Sequence, residues 1–356
     1  MLQPLRDQID SLDNEIVTLI NKRASVANEI GKIKAKDSAP MYVPSREEKV
    51  FQKLSNLNQG PLNNKAIKSI YREIISASIS LEKELKIAYL GPEATYTHQA
   101  AIKNFGSSLK YVPSSTIKDV FHAVEKDDAD YGVIPVENSN EGAVFHSLDM
   151  LVESDIKIVA QVYLKINHCL ISSGSTNEIE TVHSKDQAIG QCRNWLHKNL
   201  SHATLTNCES TAKAVTIAKK DPSCAAIASS LAAKLYDVPV IRENIQDNLD
   251  NTTRFLIIGK KSSPPVGDDK DKTSIVVSIN DKIGALQDAL KPLSSRNINL
   301  CKIESRPSKK KAWDYYFFID FCGHYDDLNV QEALTELKAN CSFVKWLGSY
   351  PNTENS

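Results

Sequence analysis

Most of what would mark a specialised chain is missing from this sequence. No sign of charge is in excess: 43 Lys and Arg stand against 44 Asp and Glu, a formal net charge of −1. No global field therefore favours nucleic acid or an anionic membrane surface. No apolar run exceeds what a strand needs, far short of a bilayer span. Residues 1–6 show no basic region followed by an apolar core, so no secretory signal is expected. The seven cysteines are scattered without a C-x-x-C pair, which leaves reduced thiols as the default over disulfide or zinc frameworks. Eight histidines include no H-E-x-x-H, and no metal is expected. Neither G-x-G-x-x-G nor G-x-x-x-x-G-K-[ST] occurs, which disfavours a nucleotide, and no cofactor is expected. A cytoplasmic protein of two or three domains is what 356 residues of this kind predict.

What is present falls into three differently built segments. Leu5, Ile9, Leu12, Ile16, Leu19, Arg23, Val26, Ile30 and Ile33 step by four and three without a break. That is a heptad seam on a helix of about nine turns. Arg23 stands in the seam where an apolar residue belongs. A buried guanidinium needs an anion, either an internal carboxylate such as Asp13 or Glu29 or a bound one. Lys34 lies on nearly the same face roughly 16 Å along the axis, so two long cations can bracket one small dianion.

Ser45-Arg46-Glu47-Glu48 reads as a capping box that opens a second helix. A third carries Ile67, Ile70, Tyr71, Ile74 and Ser78 on one stripe, with Glu82 one turn after Ser78. Arg23, Lys34, Arg46, Glu47, Ser78 and Glu82 thus lie on or near the inner face of an otherwise apolar three-helix unit, which favours a polar cavity. Arg6 is about 25 Å from Arg23 along one helix. It reaches the same ligand only if a second chain's first helix runs antiparallel alongside, which predicts a dimer with composite sites.

From Lys86 onward short apolar strands alternate with helices, arguing a mainly parallel sheet with ligands at the carboxyl ends of strands. Polar loops recur at 91–98, 137–142 and 210–211, where helix N-termini can receive a carboxylate. Asn251-Thr252-Thr253-Arg254 crowds an amide, two hydroxyls and a guanidinium before the apolar strand 255–258. Arg254 suits carboxylate binding or a tie between lobes equally well. Residues 260–272 read as a linker. Beyond it the order βαββαβ is ferredoxin-like, with nothing catalytic in view.

These motifs carry three resemblances. Residues 1–86 resemble the all-helical chorismate mutase domain in Leu5-Arg6-Asp7-Gln8-Ile9-Asp10, Lys22-Arg23, Gly31-Lys32-Ile33-Lys34 and Arg46-Glu47. The resemblance implies that Arg23 and the partner subunit's Arg6 hold the substrate carboxylates. Lys34 would bond the ether oxygen of the breaking bond, Glu47 the ring hydroxyl, and Ser78 a carboxylate. Arg46 would join the substrate site, and Val43 would contribute a backbone amide. Glu82 stands where members carry Gln or Glu, and must be protonated to donate to the ether oxygen.

Residues 87–262 resemble prephenate dehydratase in Gly91-Pro92-Glu93-Ala94-Thr95-Tyr96-Thr97-His98, Val133-Ile134-Pro135-Val136-Glu137-Asn138-Ser139, Glu209-Ser210-Thr211-Ala212 and Asn251-Thr252-Thr253-Arg254-Phe255. Ala94 replaces the usual Gly. That family's fold implies two lobes like a periplasmic binding protein with a cleft between them, here 87–165 with 246–262, and 166–245. It assigns to Thr253 the hydrogen bond that helps hydroxide leave. Glu137, Glu141 and His98 are stronger acids open to the same task. Substrate binding would fall to Thr95, to Asn138, Ser139 and Gly142 with Glu137 and Glu141, to Ser210 and Thr211, and to Thr252, Arg254 and Phe255.

Residues 273–356, after the linker 263–272, resemble the amino-acid-binding ACT domain of phenylalanine-inhibited dehydratases. Its effector motifs match Gly284, Ala285 and Leu286, then Asn297, Asn299 and Leu300, then Glu304, Ser305, Arg306 and Pro307. Together the three segments imply a multidomain bifunctional chorismate mutase/prephenate dehydratase: an all-α mutase, an α/β two-lobed dehydratase and an α+β regulatory domain. It would turn chorismate into prephenate and prephenate into phenylpyruvate, with phenylalanine as effector, as a homodimer or larger homo-oligomer. Two alternatives are a monofunctional dehydratase with a mutase-like dimerisation domain and a non-catalytic sensor of small acids.

Overall fold

The computed structural model describes residues 2–37, 39–267, 270–279, 282–308 and 315–353. Residues 268–269 of the linker and 354–356 at the C-terminus therefore lie outside the described residues. The chain opens with α1 (Gln3–Lys36), α2 (Pro44–Leu57) and α3 (Asn64–Glu82). At 34 residues α1 has the nine turns that its heptad seam predicts. The capping box at Ser45 does not form: α2 begins one residue earlier at Pro44, and Val43 caps it without a side-chain bond. Proline explains the shift, since its fixed φ suits the first helical position and its missing N–H costs nothing there. The inner stripe of α3 also runs one residue off the expected line, burying Ile75 and Ile79 and leaving Ile70 49% exposed.

The seam of α1 meets nothing in its own chain along most of its length. Leu5, Ile9, Leu12, Ile16, Leu19, Val26, Ile30 and Ile33 are between 49% and 64% exposed. Near its end α1 closes on α3 at Gly31, where an added Cβ would fall 2.6 Å from Glu82 Cγ. The three helices do not keep a separate core. Tyr42, Phe51, Ile75, Ile79 and Leu85 share one buried cluster with Phe105, Val133, Val159 and Phe255 of the next unit.

That unit has two sheets. The first holds β1 (Lys86–Leu90), β2 (Lys110–Ser114), β3 (Tyr131–Asn138), β4 (Gly142–Ala143), β5 (Lys157–Lys165) and β11 (Thr252–Gly259). Its order is β2-β1-β3-β11-β5, with β4 paired to β3. The second runs β10 (Val240–Arg242), β6 (Cys169–Ile171), β9 (Cys224–Ala228), β7 (Thr181–Ser184) and β8 (Thr204–Asn207). The expected mainly parallel sheet is mixed in both: β1 pairs parallel with β2 and β3, but β11 is antiparallel to β3 and β5. A strand that returns from the second sheet enters from the opposite end and must pair antiparallel. Ala94 adopts a left-handed φ of 66°, which explains why glycine is usual at this place.

The C-terminal segment is β12 (Asp271–Ser278), the helix Ala285–Ser294, β13 (Leu300–Pro307), β14 (Tyr315–Cys322), the helix Leu328–Asn340 and β15 (Phe343–Pro351). Its sheet order β13-β14-β12-β15 is the ferredoxin-like one. On one face of that sheet Ile275 and Ile319 share a buried cluster with Leu293 and Leu334 of the two helices. The other face joins the core of the middle unit: Val276, Phe318, Leu347 and Tyr350 cluster with Leu151, Ile158, Leu256 and Ile258. Gly348 marks the closest approach, with room for no side chain 2.1 Å from the Ile158 carbonyl oxygen.

Candidate active sites

The helical unit gathers its charges between α1, α2 and α3. Arg23 Nη1 donates to Ser78 Oγ at 3.1 Å, and Ser78 Oγ donates in turn to the Ile74 carbonyl at 2.7 Å. Neither Asp13 nor Glu29 pairs with Arg23, and among the described residues no carboxylate does. Lys34 Nζ donates to the Met41 carbonyl at 3.1 Å. Glu82 faces both cations, yet its Oε2 is buried without a hydrogen-bond partner. Burial pushes the Glu82 carboxyl up, against the opposing fields of Lys34 and Arg23. A half-buried acid with an orphaned oxygen beside two cations is a site shaped for an anion and a hydrogen-bond acceptor.

Glu47 is bound more tightly than expected. It forms an ion pair with Arg72 of α3, whose guanidinium also lies 4.7 Å from the centre of the Phe51 ring. Burial raises the Glu47 carboxyl against that pairing. Arg72 was missed in the sequence because it flanks, rather than occupies, the apolar stripe. Arg46 and Arg6 are exposed, Arg6 at the far end of α1, and Val43 sits at the start of α2.

Between the two sheets of the middle unit lies a cleft of about 1000 Å³. Thr95, Asn138, Ser210, Thr211, Thr253 and Phe255 line it, together with Asn251. Thr95 and Ser210 are caps, their hydroxyls accepting from His98 N at 3.4 Å and Lys213 N at 3.0 Å. Strand alternation selects Thr253 and Phe255 of β11 and turns Arg254 away. At the centre, Asn138 Nδ2 donates to Thr253 Oγ1 at 2.8 Å and to Asn251 Oδ1 at 2.7 Å. Asn138 Oδ1 accepts from the backbone of Asn140 and Glu141 at 3.0 and 3.2 Å, which settles the orientation of the amide.

The other expected residues stand outside the lining. Arg254 is buried against the C-terminal sheet, with Nη1 2.6 Å from Asp320 Oδ2. It therefore neither reaches the cleft nor joins the two lobes. Glu137 pairs with Lys302 at 2.7 Å. Glu141 accepts from Gln187 and Gln191 of the helix Asp186–Gln191. Ser139 Oγ accepts from Thr252 N at 3.0 Å, closing β3 onto β11, and Gly142 turns with φ 80°. His98 is buried and stacked on Tyr89 at 4.5 Å, and its Nδ1 accepts from Ala94 N. Burial depresses its basicity, against the opposing field of Glu93. The cleft also holds Lys185 and Lys213, two cations that sequence reasoning passed over.

In the C-terminal domain a groove of about 570 Å³ is lined by Asn299 and Leu300 with Leu290 and Leu293. Gly284, with φ 78°, caps the start of the helix Ala285–Ser294 and is followed by buried Ala285 and exposed Leu286. Asn297 has a left-handed φ of 56° beside this groove. On β13, Glu304, Ser305 and Pro307 flank Arg306, which pairs with Asp149 and lies 4.5 Å from the Phe145 ring centre. The groove thus takes up part of the expected effector set, and Arg306 serves the domain boundary.

Comparison with known proteins assigns all three units. Residues 5–83 match the family model of chorismate mutase type II, residues 87–263 that of prephenate dehydratase, and residues 273–339 that of the ACT domain. A bifunctional chorismate mutase/prephenate dehydratase of Aquifex aeolicus is 50% identical over 98% of each chain. One from Pseudomonas aeruginosa is 42% identical over 98% of this chain and 97% of its own. Among solved structures, a prephenate dehydratase from Arthrobacter aurescens in complex with L-Phe aligns with TM-score 0.70 at 30% identity, covering 76% of this chain and 91% of that one.

Proposed function

The chain belongs to the family of bifunctional chorismate mutase/prephenate dehydratases, and from that premise we propose how its residues divide the two reactions. The protein isomerises chorismate to prephenate, then converts prephenate to phenylpyruvate with loss of CO₂ and water. Mutase occupies 1–85, dehydratase 86–262, a linker 263–270 and the regulatory domain 271–356, the expected boundaries moved by one and two residues because β1 begins at Lys86 and β12 at Asp271.

The mutase reaction is a Claisen rearrangement, which forms no covalent intermediate. It requires a pinned conformer and stabilised charge at the ether oxygen. Arg23, steadied by Ser78, takes one carboxylate, and the partner subunit's Arg6 takes the other. Lys34 and protonated Glu82 donate to the ether oxygen. Glu47 meets the ring hydroxyl with the oxygen that Arg72 leaves free, while Arg46 and the Val43 amide complete the rim. The exposed apolar seam of α1 supports the second subunit, because contiguous apolar surface on this scale marks an interface. A homodimer is therefore the minimal unit. No helix among the described residues is long and apolar enough to cross a membrane, and the cytoplasm is the location in keeping with this metabolism.

In the dehydratase, the C–CO₂ bond and the C–OH bond break together as the ring becomes aromatic. Electrons from the departing carboxylate enter the ring, and hydroxide leaves under a hydrogen bond. Thr253 supplies that bond. The observation that carries this is the amide of Asn138: held by two backbone donors, it must donate to Thr253 Oγ1, so the hydroxyl proton is free for the cleft. Lys185 and Lys213 answer the two carboxylates of prephenate, with Ser210 and Thr211 at the start of the helix beyond. Thr253→Ala should abolish dehydratase turnover and spare the mutase. A near-normal Thr253→Ala enzyme beside an inactive Glu141→Gln enzyme would move the role to Glu141.

Phenylalanine is the effector, held in the groove at Asn299 and Leu300. The matched ACT domain and the L-Phe complex of a related dehydratase support this. Selective binding to a less active state lowers turnover.

A further inference from the structure

The alternation that aims Asn138 and Thr253 into the cleft aims their neighbours at the C-terminal domain. Glu137 and Arg254 are register partners in β3 and β11. Lys302 and Asp320 are register partners in β13 and β14. The two pairs meet as a square of alternating charge. Arg254 Nη1 donates to Asp320 Oδ2 at 2.6 Å, and Lys302 Nζ lies 2.7 Å from Glu137 Oε2. Hydroxyls complete the corner: Arg254 Nη2 donates to Tyr350 OH at 2.8 Å, and Ser274 Oγ to Asp320 Oδ1 at 2.6 Å.

The Arg254–Asp320 side of this square is buried, and the Lys302–Glu137 side is partly exposed. Arg254 is 6% exposed, and a guanidinium keeps its proton at any working pH. Burial alone would raise the Asp320 carboxyl, but Arg254, with Ser274 and Lys272, overrides it and holds the acid below its ordinary range. Removing one partner would strand a buried charge, which forces the strand that bears it to move. That strand bears Thr253 as the next residue. A displacement on the order of 1 Å at a catalytic group can cost about 10²-fold in rate.

We propose that Asp320 and Lys302, residues of the regulatory domain, are positioning residues of the dehydratase, acting through Arg254 and Glu137 to hold Thr253 and Asn138 in contact over the cleft. The inference rests on Thr253 as the hydrogen-bond donor. It also gives the effector a route to that donor, because β13 carries Leu300 in the groove and Lys302 two residues further on.

The test uses the full-length protein, whose mutase activity is an internal measure of folding. Asp320→Asn preserves shape and removes charge. It should lower dehydratase kcat about 10-fold or more with little change in KM, and leave mutase turnover within about twofold. Asp320→Glu should restore part of the loss. Lys302→Met, at the more accessible corner, should lower kcat less and shift half-inhibition by phenylalanine to higher concentration. A dehydratase kcat within twofold of the parent in Asp320→Asn overturns the proposal. So does a proportional loss of both activities in both variants, the mark of a merely structural contact. Thr253→Ala, run alongside, separates the premise from the proposal: turnover surviving there removes Thr253 as donor, whatever the charge variants do.

Discussion

Asn138 Nδ2 lies 2.8 Å from Thr253 Oγ1, and the direction of that bond is fixed. The amide oxygen of Asn138 is occupied by two backbone N–H groups, so Thr253 can only accept. A threonine is a weak acid, and its strength gives no reason to prefer it over Glu137, Glu141 or His98. Orientation does. Thr253 Oγ1 lines the cleft and its proton is not needed for the Asn138 bond, whereas the stronger acids are engaged by Lys302, by Gln187 and Gln191, or inside the core.

Reversing the bond should be worse than deleting it. Asn138→Asp keeps the size and the backbone acceptor, but its carboxylate would take the Thr253 proton. We expect dehydratase kcat to fall about 10²-fold or more, comparable to losing a transition-state donor. Asn138→Ala should fall less. Steady-state kinetics with prephenate decide, and an Asp variant as active as the Ala variant contradicts the orientation argument.

If Glu82 donates to the ether oxygen as proposed, it should set the pH response of the mutase. Its carboxyl is raised by burial, and only the protonated form donates. Turnover should therefore increase as pH falls through the raised value and decline above it. Glu82→Gln carries a permanent donor and should flatten the profile. A mutant profile that parallels the parent's would show that another group titrates.

Gly31→Ala probes the same site from the opposite helix. The new Cβ would sit 2.6 Å from Glu82 Cγ and 2.8 Å from Glu82 Cβ. Overpacking costs about 1–3 kcal/mol, while removing a helix-interior glycine returns about 1 kcal/mol. Global stability should change little and geometry should yield instead. Mutase kcat is expected to drop about 10-fold with dehydratase unchanged. An unimpaired mutase would mean that Glu82 need not hold its position.

The cleft cations should act on binding rather than chemistry. Lys185→Met and Lys213→Met should each raise KM for prephenate, by about 10-fold for a charged contact of roughly 1.5 kcal/mol, with kcat nearly constant. Inhibition by simple dicarboxylates should weaken in step. Unchanged KM in both variants would leave the carboxylates to backbone amides.

How much of this was legible in the sequence depended on distance along the chain. The heptad seam of α1 and the placement of Arg23, Lys34 and Glu82 follow from local spacing, and so does the βαββαβ order. Thr253 stood out as part of a polar strand start. The side that Arg254 faces did not, because it depends on Asp320 in another domain and on which neighbour of β11 covers which face. Capping at Ser45 failed to the proline before it. Tyr42, between α1 and α2, packs 4.7 Å from the Phe105 ring and its hydroxyl accepts from Asn104 at 2.9 Å, contacts that no local spacing reveals. Excising the helices would expose that shared core, so the two activities are best compared in the intact chain.

The central claim is that one chain makes prephenate and consumes it at Thr253. Purified protein given chorismate alone, followed by chromatography over time, tests it most directly. Prephenate should appear transiently and phenylpyruvate accumulate, and the Thr253→Ala variant should stop at prephenate. Chorismate left unconverted, or phenylpyruvate formed by the variant at the parent's rate, would contradict the account.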